Sequence, residues 1–209
     1  GNTGSATLNK NVTTYDATIK HSGNYSAKLQ SQYVALFGIG AFAAGNVFVG
    51  KFLKIDGTDG ILRFGRPFTS RPSKLVLYYR YVAGTVDYST LSELPKNSKD
   101  MGSIYIALGD WPHQTFEGET DIPVLVKTKP ADRQLFDSNS SNVIGYGECI
   151  LKESTEGEGL IKLEIPINYR SNRKPTDIIL VGSASRYGDY FTGSTGSTLW
   201  LDDLELIYE

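Results

Sequence analysis

The chain has 209 residues, of which 40% are hydrophobic and 21% charged, and its formal net charge is −2. This is enough apolar material for one sizeable core, so we expect residues 1–209 to form a single domain. The chain has a single cysteine, Cys149, which excludes an internal disulfide framework. It has only two histidines, and so few potential ligands disfavour a zinc site. The sequence has no contiguous basic block and no apolar run of membrane-spanning length, so we expect neither a nucleic-acid partner nor direct membrane insertion.

The chain reads as a series of short strands separated by Gly, Pro and polar turns. Residues 73–82 alternate most clearly, with Leu or Tyr at every second position from Leu75 to Tyr81. Residues 102–108 and 160–168 show the same period, and Pro166 indicates an edge strand or a bulge. No stretch keeps a 3.6-residue apolar period. We therefore predict an all-β fold, a two-sheet antiparallel β-sandwich of jelly-roll type.

The last 34 residues combine two strand patterns. Ile178 to Val181 is a continuous apolar run, which is typical of a strand covered on both faces. In the final strand the apolar residues fall on odd positions up to Leu201 and on even positions from Leu204 onwards. A slip of one residue reverses every side chain, so it predicts a β-bulge at Asp202 and Asp203. Two carboxylates at a kink are candidate calcium ligands. Alternatively, one faces solvent and the other caps backbone amides.

The loop over residues 110–121 carries the first candidates for ligand contact. Trp111 offers a flat apolar face and a polar edge, which suits stacking on a sugar ring. His113 and Gln114 follow it and could supply hydrogen bonds. We therefore expect this loop to contribute a surface aromatic platform to a binding site.

The same loop contains acids that could act in catalysis. Glycoside hydrolysis needs two carboxylates at a fixed separation, and Asp110, Glu117, Glu119 and Asp121 could provide them. Acidic surface loops are common, so the alternative is a solvated loop with no catalytic role.

Two further charged residues lie near turn motifs. Arg66 and Arg71 flank a Pro-Phe turn, and either could form a bidentate pair with an acid such as Asp189. Such a pair would be a structural latch or part of a ligand site, and we retain Arg66 and Asp189 as ligand-binding candidates.

Four segments together carry a family resemblance. The segments 43–52, 64–72, 183–193 and 196–203 resemble the putative carbohydrate metabolism domain family of Bacteroidetes, in the family's order. The resemblance implies a β-sandwich associated with glycans. It also implies the C-terminal domain of a larger exported protein or surface lipoprotein, behind immunoglobulin-like domains and linked to polysaccharide utilisation. The expected location is the cell surface or periplasm.

The two ends of the chain are also similar to those of jelly-roll carbohydrate-binding modules. The segments are 21–29 and 199–206. In such modules the terminal strands pair, and an acid near the last strand holds a structural calcium. The resemblance implies that Asp202 or Asp203 would be that ligand.

Three functions remain open from the sequence. The leading hypothesis is a non-catalytic carbohydrate-binding module that recognises a polysaccharide or oligosaccharide. The second is a glycoside hydrolase or lyase that uses the loop carboxylates. The third is a structural or interaction domain of a surface lipoprotein.

Overall fold

The computed structural model describes residues 11–36 and 39–208. Short 3-10 turns occur at Pro130–Asp132 and Gly188–Tyr190. In the described part of the chain the strands, in chain order, are β1 (Thr13–Asp16), β2 (Ser26–Gln30), β3 (Gln32–Leu36), β4 (Ile39–Ala43), β5 (Asn46–Phe48), β6 (Gly50–Asp56), β7 (Asp59–Phe64), β8 (Arg66–Pro67), β9 (Lys74–Val82), β10 (Gly102–Gly109), β11 (Gln114–Phe116), β12 (Glu119–Ile122), β13 (Val124–Lys127), β14 (Val143–Leu151), β15 (Ile161–Pro166), β16 (Asn168–Tyr169), β17 (Asp177–Ser183) and β18 (Thr198–Ile207).

The described strands form a sandwich of two large antiparallel sheets. One has the order β1-β2-β18-β9-β15, and the other has the order β16-β14-β10-β17-β5 with β8 also paired to β17. The main core lies between them, and its fully buried side chains come from alternate positions such as Leu75, Leu77, Ile104 and Ile106. Each such side chain contributes roughly 1.5–3 kcal/mol when it leaves water. The predicted sandwich and its inward faces are therefore confirmed.

A third layer covers part of the second sheet. The small sheet β13-β7-β6 packs on the outer face of β17 and β10, where Phe64 and Val126 contact a second core that includes Ile179 and Val181. Ile178 points the other way, into the main core. The strand β17 is thus apolar on both faces because both are covered, as its continuous apolar run predicts. The covering layer itself was not predicted.

The bulge in the last strand is also confirmed. The pairing of β18 with β9 shifts between Asp202 and Glu205, and Asp203 adopts a left-handed backbone with φ of 47°. Pro166 ends β15, which is the edge strand of its sheet, as predicted. In the described part of the chain, no helix is long and apolar enough to cross a membrane.

Candidate functional site

Trp111 lies in the core and not at a binding surface. Its side chain is only 8% exposed, and its ring meets Phe136 edge-on at 6.3 Å between centroids. The indole covers Gly109 so closely that a Cβ there would lie 2.4 Å from a ring atom. The expectation that Trp111 presents a sugar-stacking face is therefore wrong. The large apolar ring is stabilised by burial beside the covering layer, which the sequence did not predict.

The acids of the following hairpin have structural partners. Glu117 pairs with Lys54 at 2.5 Å, and Glu119 pairs with Lys51 at 2.6 Å and Arg63 at 3.0 Å. Hydrogen bonds from Lys51 and Arg63 lower the pKa of Glu119, which keeps it ionised. These pairs fasten β11 and β12 to the covering layer and give the catalytic hypothesis for this loop no support. Two other candidates on the hairpin are exposed: Gln114 and Asp121.

His113 joins a buried acid at the start of β17. Its Nε2 lies 2.9 Å from Oδ2 of Asp177, a residue with no exposed surface, and Thr176 Oγ1 donates to the same oxygen at 2.7 Å. Asp110 lies beside this pair, because its Oδ1 is 3.3 Å from Thr176 Oγ1 and its Oδ2 is 3.6 Å from Arg173. The structure thus brings His113 and Asp110 together, away from the partners of Glu117 and Glu119.

Arg66 and Asp189 do not form the suggested latch. Arg66 pairs with Ile178 at the start of β17, whereas Asp189 follows the far end of that strand, which is Ser183. The side chain of Arg71 instead donates to backbone carbonyl oxygens, including that of Ser171 at 3.0 Å. The latch is wrong because β17 separates the two groups along its length.

The two acids at the bulge hold a turn near the start of the chain. Asp202 accepts the backbone N–H groups of His21 and Ser22 through Oδ2 and that of Asp203 through Oδ1. Asp203 accepts from Ser22 Oγ and lies 2.6 Å from His21 Nδ1. The His21 ring stacks on Tyr78 at 3.3 Å.

These contacts do not fit a calcium site. All four carboxylate oxygens of Asp202 and Asp203 already face hydrogen-bond donors, whereas calcium needs six to eight oxygens directed at one point. In the described residues, no group of three or more acidic, histidine or cysteine side chains could hold a metal. The geometry favours the capping role that the sequence left open as the alternative. Calcium binding itself stays a prediction.

An aromatic cluster lies on the outer face of the second sheet, beside the covering layer. Tyr105 on β10 stacks on Phe136 at 5.4 Å with the rings nearly parallel, and Tyr146 on β14 completes the group at 6.1 Å from Tyr105. The three rings are half-buried. Tyr105 also pairs across the strands with Glu148, so that carboxylate lies beside the rings. Half-buried aromatic rings next to a charge offer both apolar and polar contact.

A short segment brings Asp189 to this cluster. The turn Gly188–Tyr190 carries Asp189, and the next residue, Phe191, is held in a left-handed conformation with φ of 53°. Such a conformation in a non-glycine residue is strained and persists only when its surroundings impose it.

A buried carboxylate fastens the residues on both sides of this turn. Asp100 has no exposed surface, and its Oδ2 accepts bonds from Ser185 before the segment and from Ser194 and Ser197 after it, at 2.6–2.8 Å. Both ends of the segment are therefore fastened to one point, which positions Asp189 against the sheet.

The charges around Asp189 are unequally paired. Asp189 is half-buried, and none of the described residues donates a hydrogen bond to its side chain. Burial raises its pKa, and only the charge of Arg133 opposes this shift. Burial, followed by the charge of Asp189, raises the pKa of Tyr105 well above its ordinary value. Nearby, Arg186 donates to Glu148. Glu148 is thus firmly paired, whereas Asp189 is not.

We call this surface the Asp189 site. Its members are Tyr105, Arg133, Phe136, Tyr146, Glu148, Arg186 and Asp189. The sequence analysis selected only Asp189 from it. A usable signal was present for Tyr105, which alternates with the inward Ile104 and Ile106 and so had to face outward on β10. The others depend on packing between distant segments.

Comparison with known proteins assigns the chain to a family. The model of the family described as "Putative carbohydrate metabolism domain" matches residues 1–207. The chain belongs to this family. A search of curated proteins found no match.

Two crystal structures of Bacteroides proteins resemble this member of the family. One, described as a putative glycoside hydrolase from Bacteroides thetaiotaomicron, has a TM-score of 0.65 and 22% identity, and the match covers 95% of this chain and 57% of that one. The other, described as a putative glycoside hydrolase from Bacteroides vulgatus, has a TM-score of 0.66 and 24% identity, with 95% and 78% covered. At these identities the likeness shows a shared fold. The chain spans little more than half the length of the first protein.

Proposed function

We propose that this carbohydrate-metabolism domain binds a glycan at the Asp189 site without cleaving it. The observation that supports the proposal is the set of half-buried rings, Tyr105, Phe136 and Tyr146, beside charged groups on one surface. A sugar has apolar C–H faces and a polar edge of hydroxyl groups. Aromatic ring faces can pack on the C–H faces of the sugar, and carboxylates and guanidinium groups can form hydrogen bonds with its hydroxyl groups.

The polar groups suit sugar hydroxyls because they include both acceptors and donors. The side chain of Asp189 has no hydrogen-bond donor among the described residues, so it can accept from a bound hydroxyl. Arg133 stacks over Tyr190 at 4.6 Å, which holds its guanidinium beside the site with donors to offer. A fixed site of this kind loses little conformational entropy on binding.

The setting of the domain is part of the proposal. Following the resemblance of the sequence, we place it at the cell surface or in the periplasm. There it would be the C-terminal part of an exported polysaccharide-utilisation protein, behind immunoglobulin-like domains.

Isothermal titration against a panel of polysaccharides tests the binding proposal. Tyr146→Ala and Asp189→Asn should each weaken binding at least tenfold, which corresponds to about 1.4 kcal/mol. The matched controls are Tyr25→Ala and Asp121→Asn, which change the same residue types at exposed positions away from the site. They should change affinity less than twofold. Absence of heat with every polysaccharide, or equal loss in the controls, would refute the proposal.

A second candidate function is glycoside hydrolysis at the same site. Two carboxylates with different environments favour it: the pKa of Asp189 is raised by burial, whereas Glu148 is ion-paired with Arg186. This reaction needs one carboxyl group that donates a proton and a second carboxylate nearby, and burial favours the first role for Asp189. Both similar Bacteroides structures are also described as putative glycoside hydrolases.

Release of reducing sugar separates the two candidates. If the domain is a hydrolase, a glycan that binds will be cleaved, and both Asp189→Asn and Glu148→Gln will abolish cleavage while some binding remains. If it is a binding module, the same glycan stays intact after prolonged incubation with the unmodified protein.

A further inference from the structure

We propose that a second surface, at one end of the sandwich, binds the acidic groups of a negatively charged polysaccharide. The surface is formed by the segments 66–71 and 170–174, and we call it the basic end. It adjoins the Asp189 site at one point, because the guanidinium of Arg170 lies over the Tyr146 ring at 5.7 Å. The inference goes beyond the function proposed for that site, because it assigns the glycan a chemical class.

Tertiary structure places the two segments side by side. The N–H of Phe68 donates to the carbonyl of Thr176 at 2.8 Å, which extends the pairing of β8 with β17. The guanidinium of Arg71 then reaches the carbonyl oxygens of Ser171, at 3.0 Å, and Arg173, at 2.5 Å. The segments therefore lie next to each other although about 100 residues separate them in the chain.

The basic end concentrates positive charge on a protein whose net charge is −2. The two segments contain no acidic residue. Three acids adjoin them. Asp110 is paired with Arg173, Asp177 is wholly buried and contacts His113, and Asp137 directly precedes Ser138, whose carbonyl accepts from Arg170. The cationic side chains of the basic end are Arg66, Arg71, Arg170, Arg173 and Lys174.

Three of these side chains are held in place, and two of them, Arg71 and Arg170, have no carboxylate partner in the described residues. Arg71 stacks on Tyr169 at 4.0 Å, Arg170 donates to the carbonyl of Ser138 at 2.5 Å, and Arg173 donates to the carbonyl of Ser141 at 2.6 Å. Carbonyl oxygens are neutral, so these bonds orient the guanidinium groups and leave their positive charge in place. Oriented forks of this kind suit carboxylate and sulfate oxygens.

The other two cations have no partner. Neither the Arg66 nor the Lys174 side chain forms a hydrogen bond, ion pair or ring contact with any residue in the described ranges, and both are exposed. Arg66 lies opposite Ile178, while Arg71 reaches residues 171 and 173, so the charges are spread along the paired segments. A row of separated charges matches a polymer with repeated acidic groups better than one small anion.

Binding to polymers of different charge tests the inference. The probes are polygalacturonate, which carries carboxylates, dextran sulfate, which carries sulfates, neutral dextran, and a DNA duplex. We expect one or both acidic polysaccharides to bind, more tightly at low salt because exposed charges are screened by ions. The two acidic probes distinguish the kind of acidic group, and binding to either supports the proposal.

A matched pair of double variants locates the site. Arg66→Gln with Lys174→Gln should weaken binding of the acidic polysaccharide at least tenfold. The control variant, Lys96→Gln with Lys152→Gln, also removes two positive charges, at exposed positions outside the basic end that have no partner in the described residues. It should weaken binding of the acidic polysaccharide less than twofold. Melting temperatures should stay unchanged in both.

Four results would overturn the inference: no binding to either acidic polysaccharide, equal weakening in the control, equal binding of neutral dextran, or equally tight binding of DNA. Asp189→Asn keeps the two proposals apart. If it leaves all glycan binding intact while the basic-end variant abolishes it, the Asp189 proposal fails and this one stands.

Discussion

Removing the carboxylate of Asp100 should destabilise the fold more than any surface change. Its Oδ2 accepts bonds from Ser185, Ser197 and the backbone of Ser194, and its Oδ1 accepts from the backbone of Met101 at 2.8 Å. Asp100→Ala leaves these four donors without their acceptor in a site with no exposure. At about 1 kcal/mol for each of the four lost bonds, less a part that water can replace, we expect a loss of about 3–4 kcal/mol.

Asp100→Asn is the informative companion variant. Its single carbonyl oxygen can keep the three donors now on Oδ2, while its amide group meets the N–H of Met101, so about 1–3 kcal/mol should be lost. Urea unfolding at pH 7 measures both variants. Glu156→Ala, which changes an exposed acid with no partner in the described residues, is the control and should lie within about 0.5 kcal/mol of the unmodified protein.

The pH dependence gives this reasoning a second test. Burial raises the pKa of Asp100 above its ordinary value of 3.8. The folded state then holds the proton more tightly than the unfolded state, so this group lowers stability as pH rises from 3.8 through the folded pKa. In Asp100→Asn, the free energy of unfolding should no longer show this part of its dependence on pH. A loss below about 1 kcal/mol for Asp100→Ala, or an unchanged slope for Asp100→Asn, would refute our account of the network.

Three further changes have definite expected results. Because burial raises the pKa of Asp189, Asp189→Asn should stabilise the protein at pH 7, by about 1 kcal/mol, and the gain should shrink as pH falls toward 3.8 in urea titrations. His21 lowers the pKa of Asp203, so His21→Ala should lower the melting temperature above pH 5 and have less effect at pH 3. Gly109→Ala should cost about 1–3 kcal/mol by displacing the Trp111 ring, which tryptophan fluorescence would report.

Local patterns predicted the strands and their inward faces because alternation is a property of the chain itself. Apolar residues occupy every second position from Leu75 to Tyr81, whatever strand lies opposite. The structure buries this face of the strand in the main core. The bulge at Asp202 was also predictable, since a change of parity in one strand can be accommodated only by an extra residue.

The position of Trp111 was not predictable in this way. An aromatic residue in a polar loop suggests exposure, but the ring packs beside Phe136 under a layer whose strands come from elsewhere in the chain. Whether an aromatic side chain is a binding platform or part of a core depends on what covers it. The sequence carries no local signal for that covering.

What the sequence alone determined about this protein is its all-β class, the inward faces of its main strands, the bulge, and its family. Each of these is recognised from short stretches of consecutive residues, and the family from four such stretches in order. Only the tertiary structure decided that Asp189 lies close enough to Tyr105 to raise its pKa, that segments 66–71 and 170–174 lie together, and that Glu119 forms an ion pair with Arg63. The physical reason is that pairing in antiparallel sheets joins residues tens to more than a hundred positions apart, and that pairing sets the electrostatics of each site.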